Sequence, residues 1–335
     1  MTAAGEAEFA VLADRHRPEL LAHCYRMLGS LQESEDLVQE TYLRAWRYYD
    51  RFEGRSSVRL WLYKIATTTC LTALKNRRRR PLPSGLSAPS DDAEVALGGP
   101  EADIPWLQPA PDSLLHASTA DPATVVSGRA GVRLAFVAAL QQLSARQRAV
   151  LILRDVLGWH AREVAEMLDT SVAAVTSALQ RARAHLAQAG PIADDVAEPT
   201  EPELRNLLDR YVAAFEHADV AALANLLRAD VELEMPPIPT WFTGADVVCA
   251  FLAREVLSTP GQWRLIATRA NGAPAFAVYQ RGGDGAFHAY GVQVLSLIGA
   301  HVARINAFLD PGLIAAFDLP AVVPAPPATP RAART

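Results

Sequence analysis

The sequence predicts a multidomain chain in which two all-α domains are followed by an α+β domain. Three observations lead to that class. Apolar residues recur at helical spacing through residues 6–80 and again through 129–189. Between them, residues 81–128 hold no Lys or Arg and are rich in Pro, Gly, Ser, Ala and acid, a composition that sustains neither helix nor strand. Beyond residue 203, two helical stretches give way to short strand-like runs. The expected boundaries are 6–80 and 129–189 for the helical domains, 81–128 for a linker and 190–202 for an acidic connector. The α+β domain spans 203–318, and a disordered Pro-Ala tail spans 319–335.

Charge follows the same divisions. The 335 residues carry a net −5 at pH 7, yet residues 1–80 and 129–190 are each +4, residues 81–128 are −7 and residues 191–335 are −6. Two basic modules on an acidic strap favour nucleic-acid contact that the mean charge conceals. Cys24, Cys70 and Cys249 are odd in number and widely spaced, so neither a disulfide framework nor a metal site is expected. No run reaches the roughly 18 apolar residues of a membrane span, and MTAAGEAEF lacks the basic-then-apolar order of a signal peptide. A soluble cytoplasmic protein without cofactor is expected.

In the first domain, Phe9, Leu12, Leu20, Leu21, Tyr25 and Leu28 predict a helix over 6–29, with Gly29 as its stop. His16 and His23 read as surface or cap histidines. In ESEDLVQETYLRAWRYYD, Val38, Tyr42, Ala45 and Tyr49 step by four, three and four, which is one buried helical face. Asp36, Glu40 and Arg44 share the opposite ridge, acid early and Arg44 and Arg47 late, as the macrodipole favours. By spacing alone, that ridge is also what any solvated helix presents. Ser56 is placed to cap a second helix running to Pro81 through Arg77–Arg80. Four arginines repel one another, so they mark either a solvated end or a polyanion site. Together with Trp46, Tyr48, Tyr49, Phe52 and Trp61 they make the basic and aromatic combination that holds an unpaired strand.

The stretch DLVQETYLRAWRYYDRFEGRSSVRLWLYKIATTTCLTAL resembles region 2 of the bacterial extracytoplasmic-function sigma factors of the sigma-70 family. The resemblance implies that Asp36, Gln39, Glu40 and Arg44 dock on the clamp helices of the RNA polymerase β′ subunit. It implies capture of the opened −10 element by Arg47, Phe52, Arg55, Ser56, Ser57, Arg59, Trp61, Arg77 and Arg78.

Within the linker, DIPWLQPAPD is a stiff apolar peptide suited to docking. Its place also resembles the linker of sigma factors with a C-terminal extension. Leu134, Val137, Ala138 and Leu140 then predict a helix, and Ser144 caps the next, ARQRAVLILRDVLG, which Gly158 ends. A helix-turn-helix follows: His160–Leu168, a turn at Asp169–Ser171 with Thr170 or Ser171 as cap, and Val172–Leu186. Val172, Val175, Leu179 and Leu186 form its buried stripe, which leaves Ala173, Ala174, Thr176, Ser177, Gln180 and Arg181 outward to touch base edges. Arg162 and Arg183 suit phosphate. The segment resembles sigma region 4, which implies recognition of the −35 element and contact with the β flap. Relatives often carry Lys or Arg where this chain has Thr176 and Ala178, so the −35 sequence does not transfer by analogy.

In the third domain, Leu204, Leu207, Leu208, Tyr211, Val212 and Phe215 mark an amphipathic helix. Asp219 starts another, and VELEMP, WRLIATRA, APAFAVYQRG, FHAYGVQVLSLIG and HVARINAFLD read as strands of an antiparallel sheet. The layout of AAFEHADVAALANLLRADVELEMPP and the closing VARINAFLDPGLIAAF resemble the SnoaL-like members of the nuclear transport factor 2 superfamily, a cone of curved sheet wrapped by helices. Enzymes of that fold need a pocket acid or base, for which Glu232, Glu234, His288, His301 and Asp310 are candidates. Glu232 and Glu234 share one strand face and are expected to face water. His288 reads as a hydrogen-bonded sheet histidine, and Pro236, Pro237, Pro239, Trp241 and Phe242 as a rigid aromatic rim. Fold analogy alone does not confer catalysis.

The expected function is an alternative sigma factor, not an enzyme, whose partners are core RNA polymerase and promoter DNA and not a membrane. Its acidic third domain is expected to pack on the two basic ones and regulate them in cis. The competing readings are a DNA-binding regulator acting without polymerase, and an isomerase or cyclase in the third domain.

Overall fold

The computed structural model describes residues 3–49, 52, 57–115, 132–188 and 200–325. They fall into two compact units. The first comprises Met1–Leu86, Ala102–Asp195 and the turn Ala270–Ala273; the second comprises Ser87–Glu101, Val196–Arg269 and Pro274–Thr335.

In the first unit, α1 (Ala3–Leu28) and α2 (Leu31–Tyr48) meet at Gly29, which sits at φ +70° with Leu107 Cδ1 2.8 Å from where a Cβ would lie. Helix α3 (Val58–Ala73) completes a three-helix core of Leu20, Leu21, Tyr25, Val38, Ala45, Leu62, Tyr63 and Ala66. Each large apolar side chain buried here contributes about 1.5–3 kcal/mol. The cap of α3 is Ser57, whose hydroxyl accepts from Leu60 N at 3.2 Å, rather than Ser56, which lies outside the described residues with Arg55. Nor does α3 reach Pro81. It tightens into a turn at Leu74–Asn76 and leaves Arg77 extended, at φ −102° and ψ 146°. Proline disfavours helical backbone before it, and four adjacent guanidiniums gain separation by uncoiling. His23 is not a surface residue but fully buried, with Nε2 2.9 Å from Thr67 Oγ1. His16 is held by Glu19 Oε1 at 2.5 Å. Although distant in sequence, Cys24 and Cys70 meet through their thiols in this core, unoxidised.

The helices α4 (Asp112–Leu115), α5 (Leu134–Gln141), α6 (Ala145–Leu151), α7 (Ala161–Met167) and α8 (Val172–Gln188) belong to the same unit. Ser144 and Gln147 form a reciprocal capping box on α6, which passes through a π turn at Ile152–Val156 to Gly158. Residues 81–115 are not a free strap. Leu82, Leu107, Ala110 and Leu115 are buried, Leu107 N donates to Pro81 O at 3.1 Å and Gln108 N to Gly29 O at 3.0 Å. The fully buried Asn271 donates to Tyr25 Oη at 2.9 Å and Val132 O at 2.7 Å, and accepts from Ala110 N at 3.0 Å.

The second unit opens with α9 (Glu201–Glu216), started by a Thr200–Glu203 capping box, and α10 (Val220–Ala224), capped by Asp219. Its strands are β1 (Leu227–Met235), β2 (Ile238–Thr243), β3 (Trp263–Ala270), β4 (Ala273–Arg281), β5 (Phe287–Ile298), β6 (His301–Phe308) and β7 (Val322–Val323). They lie in the order β2-β1-β6-β5-β4-β3, with β7 on β5. The sheet is mixed rather than antiparallel throughout, because β1 and β6 pair parallel. In this unit β2 and α11 (Ala245–Glu255) were not anticipated, and in the first unit α4 interrupts a linker expected to hold neither helix nor strand. Trp241 and Phe242 are buried members of β2, not a rim. Strand β7 lies in the expected disordered tail, whose residues from 326 are outside the described set along with 116–131 and 189–199.

Candidate functional site

Helix α2 has two unlike faces. Val38 and Ala45 are buried, and Tyr42 reaches across to donate to Ala13 O at 2.7 Å, which fixes the helix's rotation. That rotation leaves Asp36 and Gln39 exposed, with Glu40 and Arg44 half-exposed and bonded at 2.7 Å. Leu43 joins them at 54 % exposure. It was missed in sequence because it falls outside the 38/42/45/49 stripe, which was itself the available signal. An apolar side chain between charges on an outward ridge is what a protein interface uses at its centre.

At the far end of α2 the rings pack on one another: Phe52 and Trp61 at 4.8 Å between centroids, Tyr49 and Trp61 at 6.5 Å, Trp46 on Phe9 at 5.3 Å. Tyr48 is left exposed at 54 %. The cation of α3 near these rings is occupied. Arg59 is bonded to Glu19 at 2.7 Å and lies over the rings of Tyr63 and Trp159. Arg77 and Arg80 are not beside the rings: both pair with Glu33 in the first turn of α2, Arg80 at 2.8 Å, about 20 Å along the helix from Trp46 at 1.5 Å per residue, so the arginine run and the aromatic cluster are not brought together as expected. Arg47, Arg78 and Ser57 are exposed.

In the helix-turn-helix, Asp169 takes φ +47° in the turn and Ser171 Oγ accepts from Ala174 N at 3.2 Å, starting α8. Val175, Ala178, Leu179 and Ala182 face inward. Val172 does not belong to that stripe, being 47 % exposed in the first turn of α8. Ala173, Ala174, Thr176, Ser177, Gln180 and Arg181 are all exposed, so small residues lead and hydrogen-bonding ones follow along a single outer face. Arg183 is held bidentately by Asp155 at 2.7 and 2.8 Å, and Arg162 by Glu166 at 3.2 Å.

A cavity of about 220 Å³ opens in the second unit, lined by Tyr211, Phe215, Trp263, Tyr290, Gln293 and Ile305 among others. None of the five candidate acid-base residues lines it. Leu233 and Met235 do, so the alternation of β1 turns Glu232 and Glu234 to the sheet's opposite face. Glu234 is nonetheless fully buried instead of facing water, 3.8 Å from Arg304 and accepting from Asn306 at 3.4 Å. His288 pairs with Asp284 at 3.0 Å on the surface, His301 is exposed, and Asp310 accepts from Gly312 N at 2.9 Å as a turn cap.

A helical module with an outward acidic ridge and an aromatic end, followed by a helix-turn-helix with a small-polar reading face, is the layout of a transcription initiation factor of the sigma-70 class. The Sigma-70 region 2 family matches residues 12–80 and the Sigma-70, region 4 family matches residues 133–186. The ECF RNA polymerase sigma factor SigG of Mycobacterium tuberculosis (strain ATCC 25618 / H37Rv) is 49% identical over 315 residues, 93% of this chain and 84% of that protein. SigJ of the same strain is 29% identical over 243 residues, 70% of this chain and 69% of that protein. The crystal structure of Mycobacterium tuberculosis extracytoplasmic function sigma factor SigJ shares the fold, with a TM-score of 0.59 at 22% identity, over 93% of this chain and 99% of that one. The chain belongs to the ECF RNA polymerase sigma factors, and its C-terminal part is an α+β domain. No helix among the described residues is long and apolar enough to cross a membrane.

Proposed function

We propose that this chain directs core RNA polymerase to specific promoters in the cytoplasm. The exposed stripe Asp36, Gln39, Glu40, Leu43 and Arg44 holds the clamp helices of β′, and region 4 sits on the β flap. Region 2 captures the opened −10 strand with Arg47, Phe52, Arg55, Ser56, Ser57, Arg59, Trp61, Arg77 and Arg78. Helix α8 reads the −35 element with Ala173, Ala174, Thr176, Ser177, Gln180 and Arg181, and Arg162 and Arg183 contact phosphate. The SnoaL-like domain regulates these modules in cis.

One observation carries the polymerase contact. Packing fixes one face of α2, and the opposite face bears charge around an exposed leucine with no core role. The occupied arginines support a second step. Arg59, Arg77 and Arg80 are bound to this chain's own carboxylates, so promoter capture exchanges Glu19 and Glu33 for phosphate.

The test is association with core polymerase by Asp36→Arg/Glu40→Arg and by Leu43→Asp, each checked for an unchanged helical spectrum. A drop of at least about tenfold in affinity is expected, because charge reversal and a buried interface charge each cost more than about 1.4 kcal/mol. Undiminished association by both folded variants would refute the reading.

A further inference from the structure

We propose that a cavity between regions 2 and 4, within the first unit, is a binding site for a polyphosphate group: two or more adjoining phosphates, borne by a nucleotide or free as an inorganic chain. The cavity measures about 830 Å³ and is walled by Arg77–Arg80 from region 2 and by Ala145 and Arg148 from region 4. Five arginines face it against two acids, Glu33 and Asp103, a local balance of +3 in a chain whose net charge is −5. One phosphate brings about −1.5 to −2 and leaves the walls cationic, so balance calls for at least two. Volume agrees with charge. Pockets of roughly 300–1,000 Å³ hold whole organic ligands, which leaves room here for a nucleoside as well.

Two of the arginines are unneutralised. Arg77 and Arg80 share Glu33, but Arg78 and Arg79 are exposed and pair with no carboxylate among the described residues. Arg79 donates to Gln142 Oε1 at 3.4 Å, which carries no charge. Their guanidinium forks match phosphate oxygens two at a time. The opposite wall is of another kind. Arg148 is buried, and its five N–H groups go to the carbonyls of Met27, Leu140, Gln141 and Leu143 and to Gln141 Oε1. It therefore offers a fixed positive field rather than hydrogen bonds. After burial itself, the Arg79 charge is what lowers its pKa, to about 10. An anion lying between these two cations relieves that repulsion.

Both modules build the walls, and the Arg79–Gln142 and Arg148–Met27 bonds cross from one to the other. A ligand that touches both walls binds only while the modules are together. Binding and closure therefore favour each other by the same factor. A bound polyphosphate also withholds Arg77 and Arg78 from DNA, so it holds the chain in a form that does not engage promoters. That last consequence rests on the promoter reading; the site itself does not.

The full chain is titrated calorimetrically with orthophosphate, tripolyphosphate and ATP, without divalent cations and at one ionic strength. Saturable binding of tripolyphosphate at one per chain is expected, at least about tenfold tighter than orthophosphate. ATP tighter than tripolyphosphate assigns the nucleotide as the source, and equal or weaker ATP assigns the inorganic chain. Arg78→Gln/Arg79→Gln should weaken tripolyphosphate at least about tenfold. Ala145→Glu should do the same by placing a carboxylate in the cavity, at a helix start whose dipole tolerates it, whereas the neutral Ala145→Gln should bind as the wild type does. Arg205→Ala, in the second unit, should change nothing. No saturable binding, or orthophosphate as tight as tripolyphosphate, would overturn the site. So would indifference to Ala145→Glu, by assigning the phosphates to the exposed arginines alone. If the helical spectrum shows Ala145→Glu unfolded, the double arginine variant set against Arg205→Ala decides. Hydrogen exchange in peptides spanning 141–148 should slow severalfold with tripolyphosphate, and unchanged exchange would overturn the link to closure. Neither polymerase nor promoter enters these assays, so their failure leaves the promoter reading standing.

Discussion

At the residue scale, two buried polar side chains hold region 2 together and onto region 4. Arg148, at 3 % exposure, donates to the carbonyls of Met27, Leu140, Gln141 and Leu143 and to Gln141 Oε1. Those carbonyls close the ends of α1 and α5, so one planar cation satisfies orphan acceptors and offsets both helix dipoles. Burial, then the nearby Arg79 charge, bring its pKa down to about 10, which still leaves it charged at neutral pH. Arg148→Met should lower unfolding free energy by about 3 kcal/mol, since several buried carbonyls lose their donor. Arg148→Lys should recover little of it, because an ammonium lacks the guanidinium's fork. Urea unfolding of both variants checks this. His23 makes a pH-dependent prediction. Burial, then Arg26, depress its pKa from 6.5 to about 3, and Nδ1 has no partner among the described residues. The folded state thus takes up its proton at lower pH than the unfolded state does. Stability from the neutral ring is complete above 6.5 and falls as pH drops toward 3, by up to about 1.4 kcal/mol per unit. His23→Gln should remove that slope between those limits while leaving other acid-sensitive groups in place.

At the element scale, helices with strong caps and long periodic faces were legible, and elements lacking them were not. The 38/42/45/49 stripe and the Ser144 cap were readable because the physics that forms those helices is local. Helix α11 has Gly244 at its start, at φ +93° with no side-chain cap, so its entry carried no signal. Strand β2 was hidden by the prolines before Trp241, residues that ordinarily argue against a strand. The burial of Glu234 was unreadable for another reason. Alternation shows that Glu232 and Glu234 share a face, not that Arg304 on the neighbouring β6 covers it. The β5–β6 pairing offers a sharp test of sheet geometry. A Cβ on Gly291 would come within 2.0 Å of Phe308 O, a backbone atom that cannot rotate away. Gly291→Ala should therefore cost at least about 2 kcal/mol, at the upper end of ordinary overpacking. Ala289→Ser, two positions along the same strand, should be nearly neutral in the same thermal unfolding assay.

At the scale of the whole molecule, the sequence showed two basic modules but not that they close on one another within the first unit. Tyr63 of α3 meets Trp159 at 4.9 Å, and the Thr67 hydroxyl donates to Met167 Sδ at 3.7 Å. Such contacts between segments about 100 residues apart leave no periodic trace. They bear on function because a factor that holds the −10 and −35 elements at once must separate its two modules, and the closed state also occupies Arg59. If the open form is a minor population, apparent affinity for polymerase and promoter is reduced by that fraction. Trp159→Leu removes an aromatic pair and the cation-π contact with Arg59, worth about 1 kcal/mol, while keeping an apolar side chain in region 4. The open population should rise about fivefold. In reconstituted transcription, the concentration giving half-maximal transcript should fall by a similar factor, and scattering should report a larger radius of gyration for the free protein. A larger radius with unchanged transcription would mean that closure of these modules does not limit initiation. An unchanged radius would mean that the Tyr63–Trp159 contact does not hold them together.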